Sequence, residues 1–269
     1  MGERTSISNL PPYREMTLRA IEDDAVFETF RIEAELASIY EVVGDSDFLQ
    51  GFVQNHLDVI GITHPDLLKQ IEVAALNELC GSAPVFPTEY GVELSAATAR
   101  YFKYLADLLY LFKSLAGFDI IEVGGAYGGF SSLVMNTKQA PRSYTIFDLP
   151  EVNQLAARYH DRLGVTGVTY KTSNDIAAVE AVSCDLFIST HAISELTRPL
   201  QIFYIDKIVR HAKHGYILYN HFFETGRKQN FDIMTVEEFA SFIPGARLLT
   251  SQPLVIQTDS HHPSTLIFW

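Results

Sequence analysis

The chain has 269 residues, 47% of them hydrophobic, with 20 Lys and Arg against 33 Asp and Glu and a net charge of −13. That length suits one large α/β domain with a helical appendage, and the apolar content excludes a disordered chain. The acidic balance, with no tight Lys/Arg cluster, argues against a nucleic-acid partner, because phosphate contacts need a basic patch.

Residues 1–15 lack the basic start and apolar core of a signal peptide. From 16 to 116 the pattern is helix after helix. Ile21, Ala25, Phe30, Ala34, Ile39 and Val43 recur at roughly helical spacing, and Phe48, Leu49, Phe52, Val53, His56 and Leu57 repeat it. Thr63 with Pro65 predicts a helix start and Gly81 its stop, while 82–94 is a connector containing Pro and Gly. Ser95 then caps a long helix ending near Gly117. Aromatic residues in this part are expected to pack in a core or a dimer interface. The apolar region 101–124 is interrupted by Lys103, Asp107, Lys113 and Asp119, so no membrane span is expected. Cys80 and Cys184 form neither a metal spacing nor a disulfide framework, which fits a reducing cytoplasm.

At 118 the rhythm changes to strand, turn, helix, strand. FDIIEV, YTIFDL (144–149), VTYKTS (168–173), CDLFIST (184–190) and GYILYN (215–220) read as five strands, with helices after Gly128 and from Pro150. Such alternation predicts an α/β fold with a doubly wound, mostly parallel sheet. Near the end, Thr235 with Glu238 forms a capping box, and two late strands, the second ending at Trp269, predict an antiparallel pair closing the sheet. The expected division is a helical region over 1–94, serving as lid and dimerisation surface, and a Rossmann-like catalytic domain over 95–269.

Ligands in doubly wound sheets lie beyond the carboxyl ends of the strands. That rule selects Gly124–Gly128, Asp148, Asn174–Asp175, Thr190–His191 and Asn220–His221. The glycine turn suits either a dinucleotide or S-adenosylmethionine. Gly124, Ala126 and Gly129 fit the dinucleotide spacing with Ala substituting once, and Asp148 stands at the expected distance. Glu122 favours S-adenosylmethionine, since a carboxylate at that strand end repels a pyrophosphate and suits an ammonium and a sulfonium.

The run Glu122-Val-Gly124-Gly125-Ala126-Tyr127-Gly128 resembles the first motif of class I S-adenosylmethionine-dependent methyltransferases. FDLPEVNQLA (147–156) is similar to the second motif of small-molecule O-methyltransferases. LSAATARYFKYLADL, HAISEL and GYILYN look like the sugar O-methyltransferases of natural-product and polysaccharide clusters, a likeness spanning about residues 90–222. The resemblance implies a Rossmann-like fold and methyl transfer from S-adenosyl-L-methionine, with S-adenosyl-L-homocysteine as product. It implies a sugar or glycoside hydroxyl as acceptor, and a homodimer in which the helical region pairs two subunits. It assigns the cofactor to Glu122, Gly124, Gly125, Ala126, Gly128, Asp148 and Leu149, with Asn174 and Asp175 near the adenine and Thr190 at the fourth strand end. Asp148 would accept bonds from the ribose hydroxyls.

Methyl transfer to a hydroxyl needs in-line placement and loss of the hydroxyl proton. His191, directly after the fourth strand, is the first choice as base; the sugar family often has an aromatic residue there. Glu195 is placed to orient its imidazole or bind a sugar hydroxyl, and His221 is the reserve. No metal is expected. Asp185 lies at the wrong end of its strand, Glu195 has no acidic neighbour, and His261 and His262 have only Asp259 near them in sequence. Two other readings stay open: an NAD(P)-dependent oxidoreductase on the same fold, and a non-catalytic methyltransferase-like subunit.

Overall fold

The computed structural model describes residues 11–177, 181–221, 232–249 and 264–269. The first part is helical: α1 (Pro11–Glu22), α2 (Asp24–Thr29), α3 (Ala34–Tyr40), α4 (Ser46–Thr63), α5 (Pro65–Leu68) and α6 (Ile71–Ala75). The periodic run from Ile21 to Val43 is cut into three pieces because cap residues intervene. Asp23 turns its carboxylate onto the backbone N–H of Ala25 at 2.8 Å and so starts α2. Ile39 and Val43, expected on the buried face, are 42% and 79% exposed. The single helix expected from Pro65 to Gly81 is α5, α6 and a 3-10 turn, Leu76–Leu79. The connector 82–94 contains a short hairpin of β1 (Phe86–Pro87) and β2 (Glu93–Leu94).

Ser95 caps α7 (Ala96–Phe112), accepting from Thr98 N–H at 3.2 Å. The helix ends at Phe112, short of the expected end near Gly117, because the backbone of Lys113 turns to φ 66°. Then come β3 (Asp119–Val123), α8 (Gly129–Met135), β4 (Ser143–Phe147), α9 (Pro150–Arg162), β5 (Val168–Lys171), α10 (Ser173–Ala177), β6 (Cys184–Thr190), α11 (Arg198–Lys207), β7 (Ala212–Asn220), α12 (Val236–Ser241), β8 (Arg247–Leu249) and β9 (Ser264–Phe268).

The described strands from β3 onward form one seven-stranded sheet in the order β5-β4-β3-β6-β7-β9-β8. All pairs from β5 to β7 are parallel, and β9 is antiparallel to both β7 and β8. The chain winds outward from β3 to one side and then from β6 to the other. The crevice between β3 and β6 is therefore the topological switch point, where such sheets bind ligands. The last strand carries Trp269 over β7: Gly215 leaves room for its ring, and the indole N–H donates to Ala212 O at 3.4 Å.

Strand residues alternate between two cores, as a pleat with period two requires. Ile120, Tyr144, Leu186 and Leu218 face the core shared with α7 and the N-terminal helices. Ile121, Phe147, Phe187 and Ile217 face the other core, with α11 and α12. Both faces are covered, which explains the near-continuous apolar runs in the central strands. No described helix is long and apolar enough to cross a membrane.

Candidate active site

A cavity of about 570 Å³ opens beyond the carboxyl ends of β3, β4, β6 and β7. Its wall includes Glu122, Gly124, Gly125, Ala126, Asp148, Leu149, Thr190, His191 and Glu195, residues that the sequence placed at a site.

Glu122 follows Ile120 on the same face of β3 and is fully buried. One carboxyl oxygen accepts from Tyr144 Oη at 2.9 Å. The other, Oε1, has no hydrogen-bond partner among the described residues. Burial pushes its pKa up to about 8, against the Tyr144 bond and with a smaller push from the Asp148 charge. An orphaned carboxyl oxygen on a ligand cavity is a place for a donor or a cation.

Asp148 follows β4 and closes the glycine turn from beside. Its carboxylate accepts from Ala126 N–H at 3.1 Å and from its neighbour Leu149 N–H at 2.7 Å. Burial raises its pKa to about 6, and those two bonds oppose the rise. Carboxylate oxygens have more lone pairs than these two bonds use, so Asp148 can accept from a diol as well.

The turn itself needs two glycines for different reasons. Gly124 has φ +84°, and a Cβ there would stand 2.0 Å from Ala192 Cβ, against the turn that carries His191. Gly128 has φ +88°, and a Cβ would meet His160 Nε2 at 2.6 Å. Gly128 lies behind the turn and does not line the cavity: its carbonyl is held by His160 Nε2 at 2.9 Å and by Ser131 Oγ at 3.0 Å. Gly124→Ala is expected to destabilise the protein by about 2 kcal/mol or more, from left-handed strain plus overpacking. Gly164→Ala, at φ +67° in open space, isolates the strain part at about 1 kcal/mol. Urea unfolding of the two variants measures the difference; equal losses would refute the close approach.

His191 is held at φ +76°, a strained conformation for a residue with a side chain. Its N–H donates to Leu218 O at 2.9 Å, and its carbonyl accepts from Ser194 N–H at 3.1 Å. The ring Nε2 lies 3.3 Å from Tyr104 Oη, while Nδ1 has no partner among the described residues. Burial, and then the Arg100 charge, lower its pKa to about 3. Glu195 lies on the cavity wall at the end of a 3-10 turn, Ala192–Glu195. The helix expected there, α11, starts three residues later.

The other expected residues lie elsewhere. His221 is not on the cavity wall; its Nε2 is 2.7 Å from Thr265 Oγ1 on β9. Asn174 and Asp175 are exposed, and Asp175 accepts from Thr172 Oγ1 at 2.9 Å, bracing the first turn of α10. Ser173 takes their place on the wall. His261, His262 and Asp259 fall outside the described residues. Among the described residues, no group of three or more His, Cys, Asp or Glu is arranged to hold a metal ion.

The helical part, read from sequence as packing alone, also builds the site. Tyr13 (α1), Tyr40 (α3), His56 (α4), Arg100 and Tyr104 (α7) all line the cavity. The available signal was on α7, where Arg100 and Tyr104 are polar groups four residues apart and so share a helix face.

The strand order and the antiparallel final strands make a doubly wound, mostly parallel α/β fold of Rossmann-like type. Solved structures with similar folds include a Galdieria sulphuraria chain assigned to the sarcosine dimethylglycine methyltransferases, at 19% identity over 57% of this chain and 64% of that one, TM-score 0.44. The similarity thus spans less than two thirds of that chain's own length. Another is an S-adenosylmethionine-dependent methyltransferase from Mesorhizobium loti, at 15% identity over 62% of this chain and 96% of that one, TM-score 0.43. A third is the N-terminal domain of EvdMO1, crystallised in the presence of SAH and D-fucose, at 11% identity over 74% of this chain and 95% of that one, TM-score 0.48. At this level of likeness nothing of their ligands or substrates transfers to this chain. No protein-family model matches the sequence, and no curated protein does.

Proposed function

We propose that the protein is an S-adenosylmethionine-dependent O-methyltransferase acting on a hydroxyl of a sugar or glycosylated small molecule. The observation that carries this reading is the buried Glu122 carboxyl, with one oxygen unpartnered, on the same cavity as Asp148 and His191. The residues fit the cofactor: Glu122 has a free acceptor for the ammonium, Asp148 has lone pairs for the ribose diol, and Gly124 keeps the turn close. When bound, S-adenosylmethionine supplies an electrophilic methyl group on a sulfonium.

His191 takes the acceptor's hydroxyl proton at its unpartnered Nδ1. With its pKa at about 3, the ring is neutral at working pH and ready to accept. Its low basicity makes placement the larger part of the catalytic effect. Tyr104 fixes the ring through Nε2. The helices of 1–94 act as the lid that keeps water out of the cavity.

Calorimetric titration with S-adenosylmethionine, S-adenosylhomocysteine and NAD(H) tests the cofactor. Micromolar binding of the first two without the third is the expected result; binding of NAD(H) alone would replace this function with hydride transfer. With turnover in hand, His191→Ala is expected to lower kcat by about 100-fold or more while S-adenosylhomocysteine still binds. Unchanged turnover removes the base role.

A further inference from the structure

The proposed reaction gives Arg100, a charged group of the cavity wall, no task. Arg100 lies on α7 four residues before Tyr104, so the two share a helix face. Tyr104 reaches His191 at 3.3 Å, so Arg100 lies one helical turn from the residue that contacts the proposed base. The guanidinium donates from Nη2 to Tyr40 O at 3.0 Å and lies 5.6 Å from the centre of the Tyr101 ring. Its Nε is buried with no acceptor among the described residues. Glu41 is the carboxylate whose field reaches it, but Glu41 is held by Arg31 at 2.7 Å.

A guanidinium presents five donors in a planar fork that matches a carboxylate or a phosphate. Donors left buried without acceptors destabilise a fold, so a cavity wall of this kind is completed by what binds there. We propose that the acceptor carries an anionic group, a carboxylate or a phosphate, which Arg100 binds from the cavity wall, so that acidic hydroxyl compounds are selected over neutral ones. This rests on the methyl-transfer reading above.

Arg100 stands on the His191 side of the cavity, since Tyr104 one helical turn on contacts His191 at 3.3 Å. After burial, its charge helps lower the pKa of both His56 and His191. The shifts of Glu122 and Asp148 come from burial, from the bonds they accept and from neighbouring acids. The methionine carboxylate of the cofactor is adjacent to its ammonium, so its partner would have to stand near Glu122. An anion docked on Arg100 also offsets the field that weakens His191, so the base is strengthened only when the acceptor is in place.

The test uses the full chain as wild type, Arg100→Gln and Arg100→Lys. Acetate and inorganic phosphate are titrated into each by calorimetry, with and without S-adenosylhomocysteine. Wild type is expected to bind at least one anion saturably, Arg100→Gln about tenfold more weakly or worse, and Arg100→Lys in between. The affinity for S-adenosylhomocysteine should stay within about threefold in both variants. Binding of acetate without phosphate makes the group a carboxylate, and the reverse makes it a phosphate. Absence of saturable anion binding by wild type, or equal binding by Arg100→Gln, overturns the proposal. So does a tenfold or larger loss of S-adenosylhomocysteine affinity in Arg100→Gln, which would put Arg100 in the cofactor site. If wild type binds no S-adenosylhomocysteine while anion binding still follows Arg100, the anion site stands and only the methyl-transfer reading falls.

Discussion

Between about pH 6 and pH 8 the affinity of the protein for S-adenosylhomocysteine is expected to rise about tenfold per pH unit, and to level off above that window. The reason is Glu122. Burial holds its pKa at about 8, so the unliganded carboxyl is neutral through most of that range. Binding an ammonium requires the ionised form, and each bound ligand releases a proton below pH 8. Asp148, held at about 6, adds a second proton only below the window. Glu122's own contribution to the stability of the unliganded protein runs the opposite way. The folded pKa of Glu122 lies above its ordinary value of 4.5, so its contribution is fully present below 4.5 and is lost as the pH rises through about 8. Below about pH 7 the buried His56, His160 and His191, held at about 4, 4 and 3, add stability as the pH rises, so the signature of Glu122 is the difference between wild type and Glu122→Gln. In Glu122→Gln the affinity slope and the Glu122 share of the stability slope disappear, and affinity at pH 8 drops by about 10- to 100-fold, the range for a lost charge-assisted hydrogen bond. Calorimetry over the pH series, in buffers of different ionisation enthalpy, counts the released proton directly. A flat wild-type affinity would show that Glu122 does not meet the ligand's cation.

Glu122 could be read from the sequence because it interrupts an apolar strand that has both faces covered. The same physics made the central strands legible. CDLFIST spans β6 residue for residue, since a short run buried on both sides leaves few other conformations. The two late strands pair antiparallel as expected, β8 being described as far as Leu249. The positions past β5 read less well. Asn174 and Asp175 are the polar residues after that strand, yet α10 begins at once and uses Asp175 on its own first turn. Side-chain direction there depends on one residue of helix phase, which composition does not reveal. The helical half was legible as helices but not as a wall of the site. Arg100, Tyr104 and His56 look like interruptions of apolar stripes, and only the packing of α4 on α7, over the core shared with the sheet, brings them to the cavity wall. On the sheet side Glu122, Gly124, Gly125, Ala126, Asp148, Thr190 and His191 follow the rule of strand ends. On the helical side only the Arg100 and Tyr104 pair carries a local signal.

Replacing Arg31 by Met is expected to destabilise the protein by about 3–5 kcal/mol, because it leaves buried carboxylates without their cation. Arg31 has no solvent exposure. Its guanidinium pairs with Glu41 at 2.7 Å and Glu78 at 2.9 Å, and it donates to Asn77 O at 2.9 Å and Ser95 Oγ at 2.7 Å. It also lies 5.4 Å from the centre of the Tyr127 ring, which belongs to the glycine turn. These partners come from α3 and its C-cap, the 3-10 turn after α6, the cap of α7 and the turn after β3. One side chain thus joins the helical part to the strand end that carries Glu122. Asn77 completes the join by donating to Gly129 O at 2.8 Å and accepting from Tyr159 Oη at 3.1 Å. The loss should therefore reach the site: Glu41 lines the cavity, and Tyr127 packs at 5.1 Å against Tyr40, which lines it as well. Arg31→Met should lower both the urea midpoint and the affinity for S-adenosylhomocysteine. Adding Glu78→Gln should recover part of the stability, since it removes one stranded charge, and the double-mutant cycle measures that coupling. A single-variant loss below about 1 kcal/mol would mean that water reaches these carboxylates, and that the helical part is held to the sheet by apolar packing alone.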